Sequence, residues 1–135
     1  MRPYNLRMPR PPLNLSGRLN LHLTVSDMKR SIDFYVTQLG FFYDHGVDNM
    51  AWLSRPDILL TLSPGTPQTE LNSYWGWSVQ SVEQLHELYE RFARRQLVSA
   101  APDPAADRLY FFLYDPDNYP LVFSVDRLEH PEGKL

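Results

Sequence analysis

The side chains of this 135-residue chain with most to offer chemically are four histidines, a close aspartate pair and a set of tyrosines. His22 lies in Asn20-Leu21-His22-Leu23-Thr24. Alternation puts it on one face with Asn20 and Thr24, and the leucines on the other. An imidazole so placed is either a hydrogen-bonded sheet residue or a group that moves a proton near neutral pH. His45 falls among turn residues, His86 on the flank of an expected helix and His130 near the C-terminus. Each stands without a convergent partner, which catalysis and metal binding both require, so no role is assigned to them. Asp115 and Asp117 flank Pro116. That pattern serves better as turn capping than as an acid pair. The chain has no cysteine, which removes disulfides, thiolate nucleophiles and Cys-ligated metals. No spacing suggests a Ser-His-Asp triad, a glycine-rich phosphate loop or a nucleotide-binding turn.

Two similar runs of elements must position these residues. Leu19, Leu21, Leu23 and Val25 alternate with polar residues over 18–25, the mark of a half-buried strand. Ser26 is expected to cap a helix, with Asp27 in its first turn, where the helix dipole favours an anion. Met28, Ile32, Tyr35 and Leu39 recur at helical spacing, and Gly40 is placed to end that helix. Short strands fit near Phe41–Tyr43, Met50–Leu53 and Ile58–Ser63, parted by turn residues at 44–49 and 55–57. After a loop over 64–72 the order begins again with a strand at Tyr74–Val79. Ser81 and Gln84 form a capping-box signature. Val82, Leu85, Leu88, Tyr89 and Phe92 make the apolar stripe of a second helix. Glu87 with Arg91, and Glu90 with Arg94, sit at i,i+4 on its wet side. Strands at Leu97–Ser99, Leu109–Tyr114 and Leu121–Val125 complete the second run.

The expected fold is therefore α+β: strand–helix–three strands, written twice, over residues 18–125, with units at 18–63 and 73–125. Pro3, Pro9, Pro11 and Pro12 keep residues 1–17 out of helix, either as a free tail or as an arm across a partner subunit. Residues 126–135 read as a polar tail. The net charge of −3 argues against a nucleic-acid-binding face and against docking on an anionic membrane. No apolar run is long enough to span a membrane or serve as a secretory signal, so a cytoplasmic protein is expected.

Val25-Ser26-Asp27-Met28, Ser31, Phe34-Tyr35 and Leu39-Gly40-Phe41 resemble the opening of the glyoxalase/bleomycin-resistance/extradiol-dioxygenase (vicinal oxygen chelate) superfamily. Phe111 to Asn118 resemble its penultimate strand and Asp-Pro-Asp-Gly-Asn turn, with Asn118 in the place of glycine. The resemblance implies a cupped sheet, shared between two chains in short members. It also implies three metal-ligand positions, which here hold Asn20, Tyr74 and Val122. Valine offers no donor, an amide oxygen is weak, and a phenol is rarely ionised near neutral pH. No metal and no other cofactor is expected.

Strand parity places His22 and Thr24 on one face with Asn20, Ser78 with Tyr74, and Tyr110, Phe112 and Tyr114 toward the cup, with Leu59 and Thr61. The resemblance implies that Trp52, where relatives place an aromatic contact, and Val122 line it too. One continuous pocket walled by Trp52, Tyr74, Tyr110, Phe112 and Tyr114, with Asn20 and His22 at its floor, follows as an expectation. Aromatic walls with a few polar groups suit a planar or aromatic small molecule. The same rings would also suit packing against a partner in a homodimer. Three functions are therefore kept open. The first is metal-independent binding or sequestration. The second is a metal-free isomerase or cyclase using His22 as acid or base with Tyr74 or Tyr110. The third is a metal-dependent lyase or dioxygenase. Because Asn20, Tyr74 and Val122 make so poor a donor set, elemental analysis of the purified protein is expected to show no stoichiometric Fe, Mn, Ni or Zn. About one ion per chain, with activity lost on chelation, would overturn that expectation.

Overall fold

The computed structural model describes residues 13–15, 17–70 and 73–126. Most of the proline-rich arm and of the polar tail lie outside the described residues, as does His130. Alternating leucines form strand β1 (Leu19–Val25), and the first helix α1 (Met28–Leu39) follows at once. Strands β2 (Phe42–Val47), β3 (Met50–Arg55) and β4 (Ile58–Pro64) complete the first unit. The second unit comprises β5 (Trp75–Ser78), α2 (Val82–Arg94), β6 (Arg108–Tyr114) and β7 (Pro120–Asp126). The sheets run β1-β4-β3-β2 and β5-β7-β6. In each, the strand before the helix pairs in parallel with the last strand of its unit, and the remaining pairs are antiparallel. The α+β expectation holds. No helix among the described residues is long and apolar enough to cross a membrane.

Four local expectations are revised. Asp27, not Ser26, caps α1, accepting from the Arg30 amide, while Ser26 is drawn to Asp117 in the other unit. The expected turn at 44–49 shrinks to Asp48 and Asn49, with Asp48 in the left-handed region (φ 56°) that Asp tolerates. Residues 44–47 join β2 instead, across a bulge between Tyr43 and His45. The strand expected at Leu97–Ser99 is a single bridge from Val98 to Leu113. The segment beyond it carries Pro102 and Pro104, which cannot donate to a ladder. The i,i+4 pairs expected on α2 do not form as close ion pairs. Among the described residues such pairs join only Lys29 to Asp33 and Arg30 to Asp117.

Other local readings hold. Ser81 caps α2 by accepting from the Gln84 amide, and the Gln84 side chain reaches back to the Gln80 amide. Gly40 ends α1 at φ 72°, its N–H turned to the Tyr35 and Val36 carbonyls. Asn118 takes φ 74°, the left-handed conformation that its glycine-like place in the turn demands.

One aromatic core joins the two units. Tyr35, fully buried, meets Phe34 and Phe41 edge-on at 5.1 and 5.8 Å and stacks on Trp75 at 6.1 Å. Trp77, Phe123 and Phe111 continue the chain of rings. The Tyr35 hydroxyl donates to Asp115 Oδ2 at 2.6 Å. Asp115 Oδ1 accepts from the Asp117 and Tyr119 amides, both at 2.9 Å. Loss of water raises the Asp115 carboxyl above its ordinary value, although these donors pull it down. Burial, reinforced by Asp115, also raises the Tyr35 phenol, which stays a neutral donor.

Folding therefore favours the protonated form of Asp115. That contribution is full below the unfolded value, about 3.9, and is lost as pH rises through the raised folded value. Asp115→Asn keeps an acceptor for the two amides and removes the titration. Urea unfolding across pH should show the stability of wild type relative to Asp115→Asn falling as pH rises from acid to neutral. A relative stability that grows with pH would show the reverse shift.

Candidate functional site

Both helices pack on one side of the sheets and leave the other side open. On the first sheet the register lines up His45, Trp52, Thr61 and His22 across β2, β3, β4 and β1. The His45 ring lies on Trp52 at 4.6 Å, nearly parallel. His22 Nε2 is 2.8 Å from Ser63 Oγ. The helix-facing residues of these strands, Leu23, Val25, Ala51, Leu53, Leu60 and Leu62, are buried.

On the second sheet, Leu109, Phe111 and Leu113 are buried toward the helices. Tyr110, Phe112 and Tyr114 stand on the opposite face, as parity required. Tyr74 meets Phe112 edge-on at 5.3 Å, and Tyr110 meets Phe112 at 5.8 Å. Arg108 Nη2 donates to the buried Ser124 hydroxyl at 3.1 Å. Tyr74, Arg108, Tyr110, Phe112 and Val122 enclose about 190 Å³.

A larger cavity of about 330 Å³ opens at the seam between the units, where β1 and the start of β5 approach. His22, Thr24, Gln68, Tyr74, Trp75 and Tyr119 are in its wall. Tyr119 closes one side: its hydroxyl donates to the Thr24 carbonyl at 2.7 Å and accepts from the Gln68 amide at 2.8 Å. The indole N–H of Trp75, a residue of this wall, is buried without a hydrogen-bond partner.

Six of the ten expected site residues, then, fall in two walls that meet at Tyr74: His22 and Thr24 on one side, Tyr110, Phe112 and Val122 on the other, and Tyr74 itself between them. Tyr74 belongs to both. The single continuous pocket expected from parity is divided within one chain. Trp52 stands on the first sheet against His45, and Asn20, Ser78 and Tyr114 lie in neither wall. Parity assigns a face but not a distance across a seam, which explains the division. Sequence reasoning also passed over Ser63, Arg108, Gln68 and Tyr119. Ser63 and Arg108 could have been found by extending the same parity two residues along β4 and β6. His45, read as a turn residue, is carried onto the open face by the β2 bulge.

The three positions that the resemblance assigns to metal ligands are now located. Tyr74 and Val122 share the smaller cavity, and Asn20 lies exposed on β1. A phenol, a valine and an amide do not fit a divalent ion. Among the described residues no group of three or more His, Asp or Glu is gathered as a metal site.

Residues 18–123 match the family described as the glyoxalase/bleomycin resistance protein/dioxygenase superfamily. The chain belongs to that superfamily. Solved structures share the superfamily fold. A glyoxalase/bleomycin resistance protein/dioxygenase from Nocardioides superposes with a TM-score of 0.72 at 17% identity, covering 91% of each chain. A fosfomycin resistance protein from Listeria monocytogenes gives 0.70 at 18% identity, covering 86% of this chain and 98% of its own. A lactoylglutathione lyase from Agrobacterium tumefaciens gives 0.68 at 11% identity, covering 87% and 98%. No curated protein is similar enough in sequence to match. A fold that hosts many activities leaves the choice of function to the site residues.

Proposed function

We propose that this superfamily member binds an aromatic or planar small molecule on its open face, without a metal. One observation carries the reading. Tyr74, Phe112 and Tyr110 form an unbroken series of edge-to-face rings, and the outer two are large rings left 60% and 48% exposed. Such a wall offers both faces and edges of rings to a flat ligand, each aromatic contact contributing about 1 kcal/mol beyond area. Two of the structural neighbours carry names that concern small molecules, fosfomycin and lactoylglutathione. A small-molecule ligand is consistent with both.

A second reading is favoured by the His22–Ser63 contact. A histidine on the same cavity wall as Tyr74 could serve a metal-free isomerase or cyclase, with His22 moving the proton and Tyr74 donating to a developing oxyanion. We further propose that the protein is a homodimer. All six residues of edge strand β2 are exposed, including Phe42, Tyr43 and Val47, and an unpaired apolar edge invites a second chain.

Native mass spectrometry of the freshly purified protein, followed by NMR titration with a panel of planar aromatic compounds, tests the ligand. Phe112→Ala is expected to weaken a bound aromatic by about 1–3 kcal/mol, the transfer energy of a buried ring. Equal affinity in wild type and Phe112→Ala would remove the ring wall from the site. His22→Ala separates the two readings: it abolishes turnover if the protein is an enzyme and only weakens binding if it is not. Light scattering at micromolar concentration should report a dimer. A monomer independent of concentration would contradict that.

A further inference from the structure

A further cavity lies on the other side of the sheets, under the helices. It holds about 440 Å³ between the C-terminal end of α1 and the length of α2. Three arginines enter its wall, Arg55, Arg91 and Arg95, and none of its lining residues is acidic. This is unusual in a chain whose net charge is −3. None of the three lies within 4.0 Å of a carboxylate among the described residues.

Arg55 ends β3 on its helix-facing side. Its Nη1 donates to the Leu39 carbonyl at 2.9 Å, and its guanidinium lies over Trp77 at 5.8 Å. Its Nε is buried without an acceptor. Arg95 Nη1 donates to Gln38 Oε1 at 2.6 Å, which leaves its other donors uncommitted. Arg91 turns no bond to Glu87, its expected partner. Capping explains part of this cluster. The C-terminal ends of α1 and α2 each carry about half a negative charge, and three guanidiniums exceed that by about two positive charges. Trp77, Leu88 and Phe92 supply an apolar floor beside the cations. The volume falls within the range of about 300–1,000 Å³ typical of small-molecule sites.

From this we infer a second ligand site, distinct from the open face, that takes a small organic phosphate: the dianionic head on Arg91 and Arg95, supported by Arg55, and an apolar or aromatic body on Trp77 and Phe92. Guanidinium forks match phosphate oxygens in pairs, and two or more of them suit a dianion better than a single carboxylate. Gln84, in the same wall, adds a neutral donor for an ester oxygen. The site lies across the sheet from Tyr110 and Phe112, so its occupancy is separable from that of the cup.

Phenyl phosphate, inorganic phosphate and benzoate are the probes, titrated calorimetrically into the full chain and followed by NMR at the indole N–H of Trp77. Phenyl phosphate should bind saturably, more tightly than the other two, and more weakly as salt is raised. Arg91→Gln and Arg95→Gln should each weaken it about tenfold, the loss of one charge-assisted contact. Lys29→Gln, at the exposed start of α1 and outside the cavity wall, should leave it unchanged. Thermal unfolding near that of wild type confirms that the variants fold, and Arg91→Lys keeps the charge while breaking the fork, so partial loss there supports the geometry. The inference is overturned if phenyl phosphate does not saturate, if both glutamine variants bind it as wild type does, or if its shifts centre on Tyr74 and Tyr110. Tighter binding of benzoate than of phenyl phosphate would overturn the assignment to phosphate.

Discussion

The carboxylate of Asp115 is 4% exposed and has no cation within an ion pair's reach among the described residues, yet it accepts three hydrogen bonds at the β6–β7 turn. It takes the hydroxyl of Tyr35 from α1 in the first unit and the amides of Asp117 and Tyr119 from its own turn. The Asn118 amide bonds to the Asp115 carbonyl, which closes the turn. With the turn so held, Asp117 reaches Ser26 and Arg30 at the entry to α1. Tyr119 reaches back to the Thr24 carbonyl. A hairpin of the second unit is thereby bound to the strand–helix junction of the first. The cost is visible in the raised Asp115 carboxyl, since a buried charge is tolerated only when hydrogen bonds replace its water.

That junction decides where the two sheets meet. β1 and β5 are each the edge strand that precedes a helix, and residues of both line the cavity at one seam. Gly76 shows how tightly β5 is then held. A Cβ at that position would stand 1.7 Å from the Val122 carbonyl oxygen, so no other residue fits without parting β5 from β7. Tyr74, two residues earlier, is held at the seam and belongs to the walls on both sides.

The result is a molecule with two chemically different sides. The open side presents rings, hydroxyls and imidazoles; the helix side gathers guanidiniums around an indole. Between them lies the aromatic core from Tyr35 to Phe111, which is continuous and closely packed. The strand alternation that sends Phe111 into that core sends Tyr110 and Phe112 to the open side. The alternation that sends Trp52 outward sends Arg55, three residues on, to the helices. One period of two serves both sides at once.

Much of this is legible in the chain. Periodicity alone marks β1, β6 and α2, because each has one face in the core and one in water, and the two-residue and 3.6-residue rhythms then differ plainly. The faces of Tyr110, Phe112 and Tyr114 follow from the same arithmetic, as does the helix-ending role of Gly40. The resemblance of Val25–Phe41 and Phe111–Asn118 places the family. Other features depend on contacts between residues far apart in sequence. Ser26 has the right type to cap α1, but Asp117, 91 residues away, draws it off and leaves Asp27 to do so. Val98 meets β6 only as a bridge, since the prolines beyond it end the ladder. Tyr74 joins two cavities, and Arg91 lines a cavity with Arg55 of β3 and Arg95 without closing an ion pair to Glu87. Alternation tells which side a side chain takes, because that depends on its own strand. How near it comes to a side chain on another strand depends on how the units dock, and that was decided by one buried carboxylate and the hydroxyl that meets it.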